Sequence, residues 1–140
     1  MAILFFLRQS ACRSNNTMRK VIGIGETVLD ITFKDNQPIG ARPGGSVYNA
    51  MITLGRMGLN AQFISEVGKD RMGDMIKQFL TDNNVSNEYV YSFDGGKTPL
   101  ALAFLDENMK PDYVFYKDYP KQRLDYVMPR IQEDDIIVLG

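Results

Sequence analysis

The stretch Pro43-Gly44-Gly45-Ser46-Val47-Tyr48-Asn49-Ala50-Met51-Ile52-Thr53-Leu54-Gly55-Arg56-Met57-Gly58, which runs on as LNAQFISEVGKDRMG to Gly73, decides the fold class. Ser46 is the candidate N-cap of a helix reaching about Met57. Its buried stripe is Val47, Ala50, Met51 and Leu54, at the i, i+3, i+4, i+7 spacing of one helix face. Gly58 stands where a helix C-terminus turns away. Ala61 to Val67 reads as a strand, and Gly68-Lys69-Asp70 as a turn with Asp70 capping a second helix. That helix points Met72, Met75, Ile76, Phe79 and Leu80 inward and ends near Asn83-Asn84. The methionines at 51, 57, 72 and 75 read as helix core, not as metal ligands.

Working outward, Val21 to Gly25 and Leu29 to Phe33 are short β segments. In the second, Leu29, Ile31 and Phe33 face one side and Asp30 and Thr32 the other. Asp35-Asn36-Gln37-Pro38 is a turn signal, and Ile39 to Pro43 is extended. Tyr89 to Phe93, Pro99 to Leu105 and Tyr113 to Lys117 follow as strands with no helix between them, which predicts antiparallel pairing. Glu133-Asp134-Asp135 reads as a solvated turn before a last apolar strand, Ile136 to Leu139, which is expected to be buried on both faces. The fold predicted is α/β: a mainly parallel sheet with helices on both faces, plus a small antiparallel β lid formed by residues of about 31–43 and 89–117.

Composition narrows the chemistry. With 140 residues, 44% of them hydrophobic and 24% charged, the chain suits one domain with a core of its own. A formal net charge of -1 supplies no general attraction for nucleic acid or an anionic membrane. The absence of histidine removes Ser-His-Asp and Cys-His catalysis, and the single Cys12 removes disulfides within the chain and cysteine metal clusters. Both suit a reducing cytoplasm. No run approaches the roughly 20 apolar residues that span a bilayer. Residues 1–17 differ in character and are expected to be disordered or to precede a true start at Met18. Their apolar stretch, Ala2 to Leu7, falls short of the about 7–15 residues of a secretion signal and follows no basic residue.

Two phosphate-binding motifs fail. Gly23-Ile24-Gly25-Glu26-Thr27-Val28 begins like a dinucleotide fingerprint, but Val28 replaces the third glycine and a strand follows in place of a helix. Gly40 to Ser46 lacks the lysine of a Walker A loop. The mixed aromatics and cations of Tyr113 to Lys121 suit a lid strand better than a nucleic-acid platform. What remains is Pro43 to Asn49 together with Asp30. Two glycines before a helix allow close approach to the backbone. A carboxylate accepts from two neighbouring hydroxyls, and an amide serves a third in either sense. The set suits a polyol better than a phosphate. Spacing alone does not choose between this and a plain structural role, with Asp30 capping a turn and Asn49 solvating a helix face.

From Arg19 to Gly140 the chain resembles the N-terminal part of the ribokinase-like (PfkB) carbohydrate kinases, fructokinases and 2-keto-3-deoxygluconate kinases among them. The resemblance is carried by VIGIGETVLDITF (21–33), by PGGSVYNAMITLGRMGLNAQFISEVGKDRMG (43–73), with its glycine pair, Asn49, Gly55, Gly58 and Gly68, and by TPLALAFLDE (98–107). It implies that Asp30, Gly44, Gly45 and Asn49 hold sugar hydroxyls and that the antiparallel strands close over the sugar. Thr98 and Ala101 fall where lid strands touch the ligand, and Glu26 and Lys117 are further polar candidates. Val47 and Tyr48 depart from the small residues of many relatives, which bears on pocket width and so on which sugar fits.

The activity implied is ATP- and Mg²⁺-dependent phosphorylation of a sugar or sugar-acid hydroxyl. Residues 18–140 would be the acceptor-binding portion, and no Gly-x-Gly-Asp run for a general base occurs in residues 1–140. The catalytic base and most of the nucleotide site are expected beyond Gly140, with no metal site within the chain. The implied partners are a small-molecule sugar and a second copy docked through the lid, with no nucleic acid and no membrane. A non-catalytic sugar-binding or dimerising module and a nucleoside kinase of the same fold are the alternatives.

Overall fold

The computed structural model describes residues 3–5, 19–121 and 128–140. Two sheets divide the work. The larger is built on β2 (Lys20–Ile24), which pairs in parallel with β5 (Asn60–Gly68) on one side and with β10 (Ile136–Leu139) on the other. β5 takes two further short parallel partners, β6 (Val85–Ser86) and β7 (Val90–Phe93), at successive points along its length. At the far edge β1 (Ile3–Phe5) pairs antiparallel with β10. Most of residues 1–17, expected to be disordered, lie outside the described residues, but these three form an edge strand. β10 is less enclosed than its composition predicts: Val138 is buried, whereas Leu139 is 40% exposed.

The helices α1 (Ser46–Arg56) and α2 (Arg71–Asp82) share one core. Tyr48 joins them. Its ring meets Phe63 of β5 edge-on at 5.5 Å and Phe79 of α2 at 6.5 Å, and its hydroxyl donates to the Ile76 carbonyl at 3.2 Å. Both helices therefore cover the face of β2 and β5 that carries Val21, Ala61, Phe63 and Val67. Ile22 and Ile64 are buried on the opposite face.

The helix stripes differ from those predicted. α1 buries Val47, Tyr48, Met51 and Ile52, so its inward face is rotated from Ala50 and Leu54 toward Tyr48. Its N-cap is Gly45, not Ser46, and Gly45 offers no side-chain cap. The C-terminal end is as read. Gly58, at φ 81, follows the last turn, and the amides of Gly58 and Leu59 return to the carbonyls of Gly55 and Leu54. In α2 only Gly73, Ile76 and Leu80 are buried, while Met72 and Met75 are 38% and 44% exposed. Met57 is also exposed, which leaves Met51 as the one core methionine of the four. An amphipathic pattern shows which broad side faces inward, but the neighbouring strands decide where the stripe ends.

The second sheet has the order β4-β3-β8-β9, from β3 (Val28–Lys34), β4 (Gln37–Gly44), β8 (Lys97–Leu105) and β9 (Pro111–Asp118). It corrects the predicted lid in two ways. The sheet is mixed, because β3 and β8 run parallel. Residues 90–93 are not in it either, since β7 extends the larger sheet beside β5. Short connections predict antiparallel neighbours only within one sheet, and the segment between Phe93 and Lys97 passes from one sheet to the other. The hairpin turn is tighter than predicted: Asp35 and Asn36, at φ 50 and 59, form it alone, and Gln37 and Pro38 already belong to β4.

Side chains fasten the two sheets at the ends of strands. Asp70 caps α2 by accepting from the Gly73 amide at 2.9 Å, and it accepts from both the amide and the hydroxyl of Thr98 on β8, at 2.8 and 2.7 Å. The Thr98 hydroxyl also takes the Gly68 amide at 2.9 Å. Thr27 donates to the Gly44 carbonyl at 2.9 Å. Within the larger sheet, Asp135 accepts from the Lys20 amide at 3.0 Å and pairs with the Lys20 ammonium at 3.2 Å, so it anchors β10 to β2 and is not merely a solvated turn residue.

Partial burial alone would raise the Asp70 carboxyl, but the hydrogen bonds from Thr98 and Gly73 outweigh it and hold the group below its ordinary value. A depressed carboxylate stabilises the fold above its unfolded pKa and loses that contribution as pH falls through the folded one. Asp70→Ala should lower the unfolding free energy at pH 7 by about 1–2 kcal/mol in urea melts. The gap from wild type should narrow below about pH 4, and a gap that stays constant with pH would contradict this role.

Candidate acceptor-binding site

The cleft that gathers the predicted groups has a volume of about 490 Å³ and lies on one face of the four-stranded sheet. Strand register builds it. Arg42, Asp30, Ala101 and Phe115 form one row across β4, β3, β8 and β9, and Gly40, Thr32, Ala103 and Tyr113 form the next. Side chains alternate along a strand, so both rows share one face. Ala103 keeps the floor low, and the rings of Tyr113 and Phe115, stacked 5.9 Å apart, raise a wall along β9. Asn49 closes the cleft from α1, one turn beyond the glycine pair.

Asp30 and Asn49 are therefore brought together, as predicted. Burial pushes the Asp30 carboxyl above its ordinary value. Gly44 and Gly45 serve this arrangement differently from the expectation. A Cβ at position 44 would run into the Asp30 carboxylate, and one at 45 would come within 2.5 Å of the Glu26 carbonyl. Gly45 also sits at φ 133, which disfavours any side chain. The space cleared by the glycines is filled by the protein itself, and the ligand would meet Asp30, not bare backbone.

Thr98 and Ala101 do not line the cleft. Thr98 is committed to Asp70 and Gly68, and Ala101, although in the first row, is fully buried. Glu26 and Lys117 bind each other, with Nζ 2.8 Å from Oε2, and so tie the end of β9 to the β2–β3 turn. Val47 and Tyr48 turn into the core and do not narrow the cleft. Sequence reasoning missed Thr32, Arg42, Ala103 and Tyr113. Thr32 was available from its i+2 spacing to Asp30, whereas the other three depend on cross-strand register.

A second cleft, of about 360 Å³, opens beyond the C-terminal ends of β2 and β10, between Glu26, Ser65, Glu66 and Tyr119. Such strand ends are the usual ligand position in parallel sheets. The Ser65 hydroxyl holds the Gly25 carbonyl there at 2.7 Å. Among the described residues no group of three His, Cys, Asp or Glu could hold a metal ion, and no helix is long and apolar enough to cross a membrane.

Residues 18–140 match the pfkB family of carbohydrate kinases. The chain belongs to that family. Among curated proteins it is 30% identical over 105 residues to probable fructokinase-6, chloroplastic, of Arabidopsis thaliana, covering 70% of this chain and 27% of the relative. It is 28% identical over 105 residues to fructokinase-1 of Zea mays, covering 70% and 32%. The chain thus spans about a third or less of the length of these relatives. Among solved structures, an uncharacterized sugar kinase from Pyrococcus horikoshii superposes with TM-score 0.65 at 23% identity, over 71% of this chain and 35% of that one. A fructokinase with bound ATP from Xylella fastidiosa gives TM-score 0.63 at 21% identity, over 72% and 34%. These likenesses establish the ribokinase-like fold, a parallel sheet with helices and a mixed lid sheet.

The packing at Gly44 yields a direct test. The three atoms nearest a Cβ there all belong to the Asp30 carboxylate, the free end of a side chain. Gly44→Ala should therefore change the unfolding free energy by no more than about 1 kcal/mol while moving Asp30 toward solvent. In a carbon-detected NMR titration the Asp30 carboxyl should lie above 3.8 in wild type and fall back toward 3.8 in the variant. An unchanged Asp30 titration would show that the glycine does not position it.

Proposed function

We propose that this chain supplies the acceptor-binding part of an ATP-dependent carbohydrate kinase. The observation that carries the reading is the convergence of Asp30 and Asn49 on one cleft, lined by the lid sheet and floored by Ala103. An ionised carboxylate accepts from a pair of vicinal hydroxyls, and the amide either donates or accepts. Tyr113 and Phe115 offer a flat apolar wall to the C–H face of a sugar ring. A lid of this kind excludes water that would otherwise compete for the phosphoryl group, and it fixes the acceptor oxygen for in-line attack.

ATP and Mg²⁺ belong to the proposal for the whole enzyme. The described residues offer neither a lysine-bearing phosphate loop nor a cluster of metal ligands, so no step of the transfer is assigned to them. The reading includes a cytoplasmic setting, consistent with a single cysteine. It also includes a homodimer through the lid, where Ile31, Leu102 and Val114 form an apolar row on the face away from the cleft.

Asp30→Asn keeps the shape and removes the charge, so affinity for a hexose should fall roughly tenfold or more by calorimetry on the chain. Because burial raises Asp30, wild-type binding should weaken on acidification with a midpoint above 3.8, and the variant should lack that acid limb. Equal hexose affinity in the two proteins would refute the site. A second expectation concerns turnover. Pure 140-residue chain mixed with hexose, ATP and Mg²⁺ should release no ADP above the background of protein-free controls. Sugar-dependent release would show that the chain carries its own base.

A further inference from the structure

The hairpin of β3 and β4 contains an irregularity that the acceptor reading does not use. Its ladder starts at the turn with Lys34 opposite Gln37 and Phe33 opposite Pro38, then shifts by one residue so that Thr32 faces Gly40 and Asp30 faces Arg42. An unbroken ladder would have set Ala41 opposite Asp30 and sent Arg42 to the other face. Ile39 is the extra residue, and it is 58% exposed. A bulge costs a ladder hydrogen bond and bends the strand, and bulges near binding sites re-aim side chains. Here the residue re-aimed is an arginine, and it is turned into the cleft.

The charges in the cleft lining are Asp30 and Arg42. They sit on directly opposed backbone positions, yet no ion pair joins them, and the Arg42 side chain makes no hydrogen bond or ion pair with another described residue. The guanidinium is therefore not occupied in neutralising its neighbour. It presents a fork of donors whose geometry matches a carboxylate in bidentate fashion.

We propose that Arg42 is an acceptor-specificity residue, and that the cleft selects a polyol carrying a carboxylate, a sugar acid, over a neutral sugar. The inference rests on the acceptor-binding reading above and deepens it. Asp30 and Asn49 take the hydroxyls, and Arg42 takes the acid group. Charge balance favours a carboxylate over a phosphate ester. With one carboxylate and one guanidinium in the lining, a monoanion leaves a single net negative charge in the cleft, whereas a phosphate dianion leaves two.

Calorimetric titration of the chain with D-gluconate, D-glucose and D-glucose 6-phosphate tests this, using wild type, Arg42→Gln and Asp30→Asn. Arg42 is exposed and unpartnered among the described residues, so its replacement leaves the fold intact. A charge-assisted bidentate contact predicts that wild type binds gluconate roughly tenfold or more tighter than glucose. Arg42→Gln should erase that preference, with gluconate losing roughly tenfold more affinity than glucose, and raising the salt concentration should weaken gluconate more than glucose. A gluconate affinity no better than that of glucose, or a preference that survives Arg42→Gln, overturns the proposal. Glucose 6-phosphate binding tighter than gluconate through Arg42 overturns the carboxylate assignment in favour of a phosphate. If Asp30→Asn weakens every sugar while Arg42→Gln changes none, the acceptor site stands and the specificity inference fails. If no ligand binds wild type, both fail.

Discussion

The contact between the Asp30 carboxylate and the Cα of Gly44 holds the candidate site together. Asp30 lies on a strand of the lid sheet, and Gly44 ends β4, two residues before the helix that carries Asn49. Any side chain at 44 would collide with the carboxylate and displace it. Next to it, Gly45 lets the helix start lie against the Glu26 carbonyl, and Thr27 clamps the Gly44 carbonyl from the same turn. A helix end, a strand and a tight turn thus occupy space that ordinary residues could not share. This packing holds an acid and an amide from different elements at one cleft, at the cost of a helix without a side-chain N-cap.

The lid sheet is fixed at its root and open at its tips. Its roots are the Asp70–Thr98 bonds on β8 and the Thr27–Gly44 bond on β4, all at least partly buried. By contrast, the Glu26–Lys117 pair that reaches across to β9 has side chains 57% and 40% exposed. Exposed ion pairs are worth little and weaken with salt. β9 itself is exposed along its whole length. Both edge strands, β4 over its first six residues and β9 throughout, lie outside the buried joints that fasten this sheet to the larger one.

Much of this was legible in the sequence, for reasons that also explain what was not. The strand–helix–strand–helix order from Gln37 to Asp82 followed from apolar spacing and from Gly58 and Asp70 at the helix ends, because these signals act within a few residues of chain. The alternation of Leu29, Ile31 and Phe33 against Asp30 and Thr32 held for the same reason. Long-range choices were not encoded so locally. Tyr89 to Phe93 has the composition of a lid strand, but β5 offered it a free edge. Met72 and Met75 fit a helical stripe yet found no neighbour to cover them. Thr98 reads as a lid residue near the ligand, and its bonds to Asp70 depend on a loop and a strand 28 positions apart, which no local pattern announces. Arg42 was hidden most deeply, because one extra residue at Ile39 reverses the face on which everything beyond it lies.

The attachment of β10 to β2 through Lys20 and Asp135 joins residues 115 positions apart. Contacts of such span close last, since the entropy of bringing the ends together must be met before any pairing rewards it. During synthesis the β3–β4 hairpin, α1 and β5 emerge early and can assemble around β2, because their partners lie within a few dozen residues. The other edge of β2 has to wait for Ile136 to Leu139. Until then a central strand stands half-paired, with its apolar edge available to any extended segment nearby. The order in which these elements become safe from misassembly is thus written in their topology: the hairpin and helix beside the candidate cleft take shape early, and β2 gains its second neighbour only when β10 emerges.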